Sequence, residues 1–455
     1  MEAMTEQTHK DLSFDDEAIP PMKELSQLNQ DELLIKCQDL MQENESLRKK
    51  LSVFQKVAVK NKKYNQREFD FSRFKKRHVA FKIAYLGWDY QGLAAQDTTA
   101  NTIEEHIFSA LHKAKLIENV SSARYSRCGR TDKGVSAFGQ VIAVDVRSNL
   151  KSGVGIIADD DENISTVANP IGEQEKSEIP YVKILNKNLP SDIRVIAYAP
   201  IDPDFDARFK CQSRTYKYFF PAADLDIHKM QIAAQKLVGT KDFRNFCKVD
   251  VGNNINHFIR RVISFKVNRV IDGDQPTDMC EMTITGLAFL WHQVRCMAAI
   301  LILVGLGLES PEVIDFLLDV EQCPKRPQYN MASEIPLVLF DCEYEGIEWQ
   351  YDHEYHLHNI NNLTQMWTQK TVQSTMLAKM LTALKSKGDL SEVTSRSTLA
   401  SVSAVLPGYR KGEYKTVAKR PVCEGLDRHL EKQAVKRAKL EERYAAINSE
   451  GQKNI

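Results

Sequence analysis

Residues 129–134 read GRTDKG: an Arg, a Thr, an Asp and a Lys held between two glycines, with the apolar run VIAVDV following at 141–146. Glycines permit a tight bend and let a ligand approach the backbone. A carboxylate carried on such a turn, Asp132, can serve as a base or a nucleophile. An ordinary surface turn has the same composition, so the acid needs a partner before it means more. Arg295 is the natural one. It is the only charged side chain between Glu281 and Glu309, inside FLWHQVRCMAAILILVGLGL. A guanidinium keeps its proton in apolar surroundings and is costly there unpaired, so it calls for a carboxylate or a cluster of carbonyls. The competing reading is an Arg at a helix start whose head reaches water. Tyr216, Tyr218 and Phe220 share one face of a strand, which usually means core. One of them at a cleft would instead offer a platform for a nucleobase. HEYHLH (353–358) supplies histidines, but no ligand spacing there fits a known metal site. No Walker loop and no GxGxxG occurs, so neither a metal nor a nucleotide cofactor is expected.

These residues must be positioned by an α+β framework. VAFKIAYLGWDY (79–90) alternates apolar and polar positions and predicts a strand. A helix is predicted near Thr102–Lys115, and strands at 141–146 and 214–220. Helix and strand patterns then alternate from 228 to 344, which favours two α+β units in tandem over one large sheet. The two units fall at 79–225 and 226–345, with an acidic surface insertion at 148–178. CMAAILILVGLGL (296–308) is too short to cross a bilayer and reads as a buried helix.

The flanks differ from this core. Residues 1–22 are polar and read as disordered. In 23–56, Leu33, Leu40, Leu47 and Phe54 recur at heptad spacing with Cys37, Asn44 and Leu51 between them, a coiled-coil pattern or a single amphipathic helix. Residues 57–78 form a basic linker. Beyond 346 a helix is expected at 363–385, then a Ser/Thr-rich stretch at 391–405. A basic extension follows, with ten Lys or Arg against four acids between Arg410 and Leu440. The 455 residues carry no net formal charge, so affinity for nucleic acid must come from local patches. Nine cysteines without a CxxC pair, and an N-terminus unlike a signal peptide, favour reduced thiols inside a cell, in nucleus or cytoplasm.

GRTDKGVSAFGQV (129–141) resembles the catalytic motif of the TruA family of tRNA pseudouridine synthases. The likeness extends in order through IAYLGWDYQGLAAQ (83–96), residues 185–220, GTKDFRNFCK (239–248), GLAFLWHQVRCMAAILILVGLG (286–307) and EIPLVLFDCEY (334–344). The wording resembles the eukaryotic branch that modifies positions 38 and 39 of the anticodon arm. Lys133 and Ser136 stand where bacterial members usually carry Ala and His, and Leu93 where the branch usually carries an aromatic. The resemblance implies two tandem ferredoxin-like halves whose antiparallel sheets join around a central cleft, a possible homodimer, a tRNA substrate, and no cofactor, metal or membrane. Carried over by position, Asp132 is the catalytic aspartate, Arg295 its basic partner, Tyr216 the ring that stacks on the target uracil, and Arg130 the side chain that fills the space left by the flipped base. Lys133, Arg208 and Lys210, with the basic stretch at 56–77 and the basic tail, would meet phosphates. A catalytically silent tRNA-binding protein on the same fold is the alternative.

Overall fold

Lys75–His78 were expected in a linker, yet they open the first strand. β1 runs Lys75–Tyr85 and pairs antiparallel with β3, Ser136–Ser148, with Lys75 opposite Ser148 and His78 opposite Asp145. The charged positions find partners in the sheet. Arg77 meets Glu178 at 2.8 Å, and His78 Nδ1 lies 2.5 Å from Asp145. The computed structural model describes residues 69–157, 177–249, 257–270, 279–387, 402–408 and 414–425, with a few single positions beyond. The polar N-terminus, the heptad segment 23–56, most of the linker, most of the acidic insertion and much of the basic extension lie outside the described residues.

The first group of elements is β1, α1 (Ile103–Lys113), the short β2 (Ser126–Arg127), β3, α2 (Tyr181–Asn188) and β4 (Ile193–Pro200). Thr102 caps α1 by accepting from the Glu105 amide, which ends the preceding loop where the apolar face of the helix begins. Val79, Phe81 and Ile83 of β1 pack in one core with Ile107 and Leu111 of α1 and Leu185 of α2. The second group is β5 (Ser213–Pro221), α3 (Ile227–Lys236), β6 (Gly239–Asp242), β7 (Ile259–Val270), β8 (Met279–Gly286), α4 (Gln293–Gly305), α5 (Val313–Leu318) and β9 (Leu337–Glu343). Phe220, Phe265 and Met282 form its core with α3 and α4.

The two groups of elements join in one sheet. Among the described residues the strands make a single nine-stranded, mainly antiparallel sheet in the order β4-β1-β3-β9-β5-β8-β7-β6, with β2 beside β3. The join is a short parallel contact of β3 with β9, Ser136 with Val338 and Ala137 with Leu339. Antiparallel pairing of β9 with β5 continues the sheet. Tyr216 on β5 packs against both cores, at the seam.

α4 is the buried helix expected from its apolar run: every residue from Gln293 to Gly305 is buried except Arg295. Among the described residues no helix is long and apolar enough to cross a membrane. The long helix α6 (His353–Lys385) starts earlier than expected, with Asp352 accepting from the Tyr355 amide at its cap. HEYHLH forms its first turns, and His353, His356 and His358 are exposed. Residues 402–408 and 414–425 return to the second core, where Val402, Val405 and Val417 are buried. Tyr414 donates to Glu309 at 2.6 Å.

Candidate active site

The turn at 129–134 is held from both sides before it meets anything else. Gln140 Nε2 donates to the Gly129 carbonyl at 2.9 Å, and the Tyr85 and Thr131 hydroxyls lie 2.7 Å apart. The Leu93 amide donates to the Thr131 carbonyl, and the Gly134 amide to that of Tyr90. The Val135 amide closes the bend on Asp132. The segment 87–93 therefore lies directly on the turn. Gly87 is required there, since a Cβ would stand 1.9 Å from the Val135 carbonyl oxygen.

Opposite this turn sits the start of α4. His292 is its cap residue, at φ 62, ψ 10, a left-handed conformation costly for a side chain with a Cβ. That conformation turns Trp291 and His292 toward Asp132. Trp291 Nε1 donates to Asp132 Oδ1 at 3.2 Å, and His292 Nε2 lies 3.2 Å from Oδ2. The two rings stack at 4.4 Å. The strained backbone at His292 thus puts two N–H-bearing rings on one carboxylate, beside the positive end of a helix. Burial pushes the Asp132 carboxyl up, but the His292 hydrogen bond and charge, the Trp291 hydrogen bond and the more distant Arg295 outweigh it. The carboxyl is held below its ordinary value and is ionised at neutral pH.

The expected direct pairing of Arg295 with Asp132 is corrected. Arg295 donates from Nη2 to Glu334 at 2.7 Å and from Nε to the Ala332 carbonyl at 2.9 Å. Glu334 reaches it because Gly134 leaves room: a Cβ on that glycine, at φ 78, would come 2.7 Å from Glu334 Cγ. Arg295 therefore anchors the segment leading into β9 and acts on Asp132 through space. The signal for its contact partners lay in the same stretch of sequence. Trp291 and His292 stand just ahead of an otherwise apolar helix, where nothing in the core needs them.

Around Asp132 opens a cleft of 970 Å³. Arg130, Lys133, Arg208, Tyr216 and Arg295 all line it, as do Arg127, Arg214, Arg260, Trp291 and His292. Asp132 is the only carboxylate among the described residues that line it, against seven Lys or Arg. Lys210 is exposed but is not part of the lining. Tyr216 meets Phe289 edge to face at 5.3 Å. Burial pushes its hydroxyl up, so it stays protonated. Tyr218, on the same strand face, goes to the core and donates to the Val405 carbonyl.

A family model described as tRNA pseudouridine synthase matches residues 233–345. The chain is 44% identical over 443 residues to the tRNA pseudouridine(38/39) synthase of Bos taurus, covering 92% of this chain and 90% of that one. It is 46% identical over 394 residues to the protein of that name from Homo sapiens, covering 83% and 80%. Against the Saccharomyces cerevisiae protein of that name the figures are 45% over 308 residues, covering 66% and 65%. The chain belongs to the family of tRNA pseudouridine synthases.

Proposed function

We propose that this chain isomerises uridine to pseudouridine at positions 38/39 of the tRNA anticodon arm, with Asp132 as the reacting group. The supporting observation is a lone carboxylate, kept ionised by His292 and Trp291, in a cleft whose other charged lining residues are all cations and which also presents the rings of Tyr216, Phe289 and Trp291. The volume is at the upper end of small-ligand sites and admits a whole nucleotide. A stacked base cannot reach Asp132, so the target uridine is first extruded. Tyr216 offers its ring to the uracil, and Arg130 is exposed at the mouth to enter the space left in the stack. The N1–C1′ bond breaks, the ring turns, C5 bonds to C1′, the C5 proton leaves to solvent and N1 takes one up. No other atom is gained or lost, so the step calls for no redox partner or group donor. Asp132 serves as nucleophile or base in that sequence.

In this reading the sheet consists of two tandem ferredoxin-like halves with the cleft between them, and the chain works as a homodimer on tRNA in the nucleus or cytoplasm. Lys133, Arg208 and Lys210 meet phosphates. Asp132→Asn keeps the shape of the side chain and removes its charge. It should fold, bind tRNA and release no tritium from tRNA labelled at uridine C5. Turnover retained by that variant would refute the assignment of Asp132. Wild-type protein that binds tRNA yet releases no tritium would refute the activity itself.

A further inference from the structure

Directly behind the Asp132 turn, three cysteines that are far apart in sequence come together. Cys128, at the base of the turn, Cys211, just ahead of β5, and Cys342, on β9, have their Sγ atoms all within 4.8 Å of one another. We propose that these three thiols form a zinc site that pins the catalytic turn to the middle of the sheet.

Zinc binds thiolates at about 2.3 Å in tetrahedral array. Sulfurs so placed lie about 3.8 Å apart, a modest closing of the spacing seen here. Cys128 and Cys342 are buried, while Cys211 is partly exposed, which gives an ion its way in and leaves a fourth position for water. Charge supports the same reading. The Arg214 guanidinium donates to the carbonyls of Cys128, Arg208 and Leu287, which puts a cation beside the cluster. Three thiolates, one divalent ion and one guanidinium sum to zero, so the assembly can be buried without a net charge. Zinc entry displaces the thiol protons to solvent, with no change in oxidation state.

The full-length protein, prepared reduced and dialysed against zinc and then against zinc-free buffer, should retain one zinc per chain by mass spectrometry. Cobalt in its place should give a thiolate-to-cobalt charge-transfer band that added zinc abolishes. Cys211→Ala and Cys342→Ala should each lose the band and most of the zinc, whereas Cys423→Ala, at a cysteine outside the cluster, should keep both. Zinc should also slow alkylation of Cys211 by a thiol reagent. Wild-type protein that retains no zinc and shows no cobalt band overturns the proposal, as does a band unchanged in the Cys211 and Cys342 variants.

Discussion

At the level of single residues, the chemistry depends on how Asp132 is kept charged. Its carboxyl is lowered by His292 and Trp291 against the opposing effect of burial. Removing the imidazole in His292→Ala should therefore raise the Asp132 value and move the acid limb of the rate–pH profile to higher pH. His292→Gln, which can still donate to Oδ2, should shift it less. An acid limb identical in both variants and the wild type would show that His292 does not tune the acid. The same lowering has a stability consequence with a definite sign. A carboxyl lowered in the native state stabilises the fold above its unfolded value, and that contribution is lost as pH falls through the native value. Asp132→Asn should thus lessen the dependence of the melting temperature on pH below about 4, the ordinary carboxylate range, measured by calorimetric scans. Asp132 was legible from its glycine-flanked turn, and Arg295 from its isolation in an apolar run. His292 stood out only as a polar residue ahead of an apolar helix; its aim at Asp132 comes from a left-handed backbone that no composition announces. The cysteine cluster was hidden for a related reason: its members share no local spacing, and only the sheet brings them together.

At the level of elements, the turn, the start of α4 and the lead into β9 form one mechanical unit through Gly134, Glu334 and Arg295. Gly134→Ala places a Cβ against Glu334 at a positive φ. Backbone strain of this kind costs about 1–2 kcal/mol, and displaced Glu334 would release Arg295 as well. A loss of about 2 kcal/mol or more in urea denaturation is expected, together with reduced turnover. Arg295→Ala should lower the melting temperature and turnover together, because it frees the Ala332 carbonyl and leaves Glu334 without its cation. Loss of turnover with an unchanged melting temperature would mean that Arg295 acts on the substrate alone. α4 was readable because its apolar run exceeds what a strand needs and falls short of a membrane span. The start of β1 was not, since Arg77 looks solvated until Glu178, 101 residues on, is seen to pair with it.

For the whole molecule, zero net charge conceals a strongly polarised surface. Seven cations and one acid line the cleft, and Arg130, Lys133 and Arg208 are exposed there. The short β3–β9 contact creates this field by bringing residues of the first group to face those of the second, yet it involves only two residue pairs and left no pattern in the sequence. If phosphates occupy that field, binding releases counterions, and the logarithm of the tRNA affinity falls linearly with the logarithm of salt concentration. Arg130→Ala and Arg208→Ala should each weaken binding and reduce the slope by about 1, the loss expected for one phosphate contact. Lys210 is exposed outside the cleft lining, so Lys210→Ala separates two extents of the footprint. An equal change in slope there means that the tRNA backbone runs past the rim onto the surface before β5. An unchanged slope means that no phosphate is met at Lys210. A wild-type affinity that stays flat across the titration would remove the electrostatic basis for tRNA binding altogether, in the cleft and in the basic flanking stretches alike.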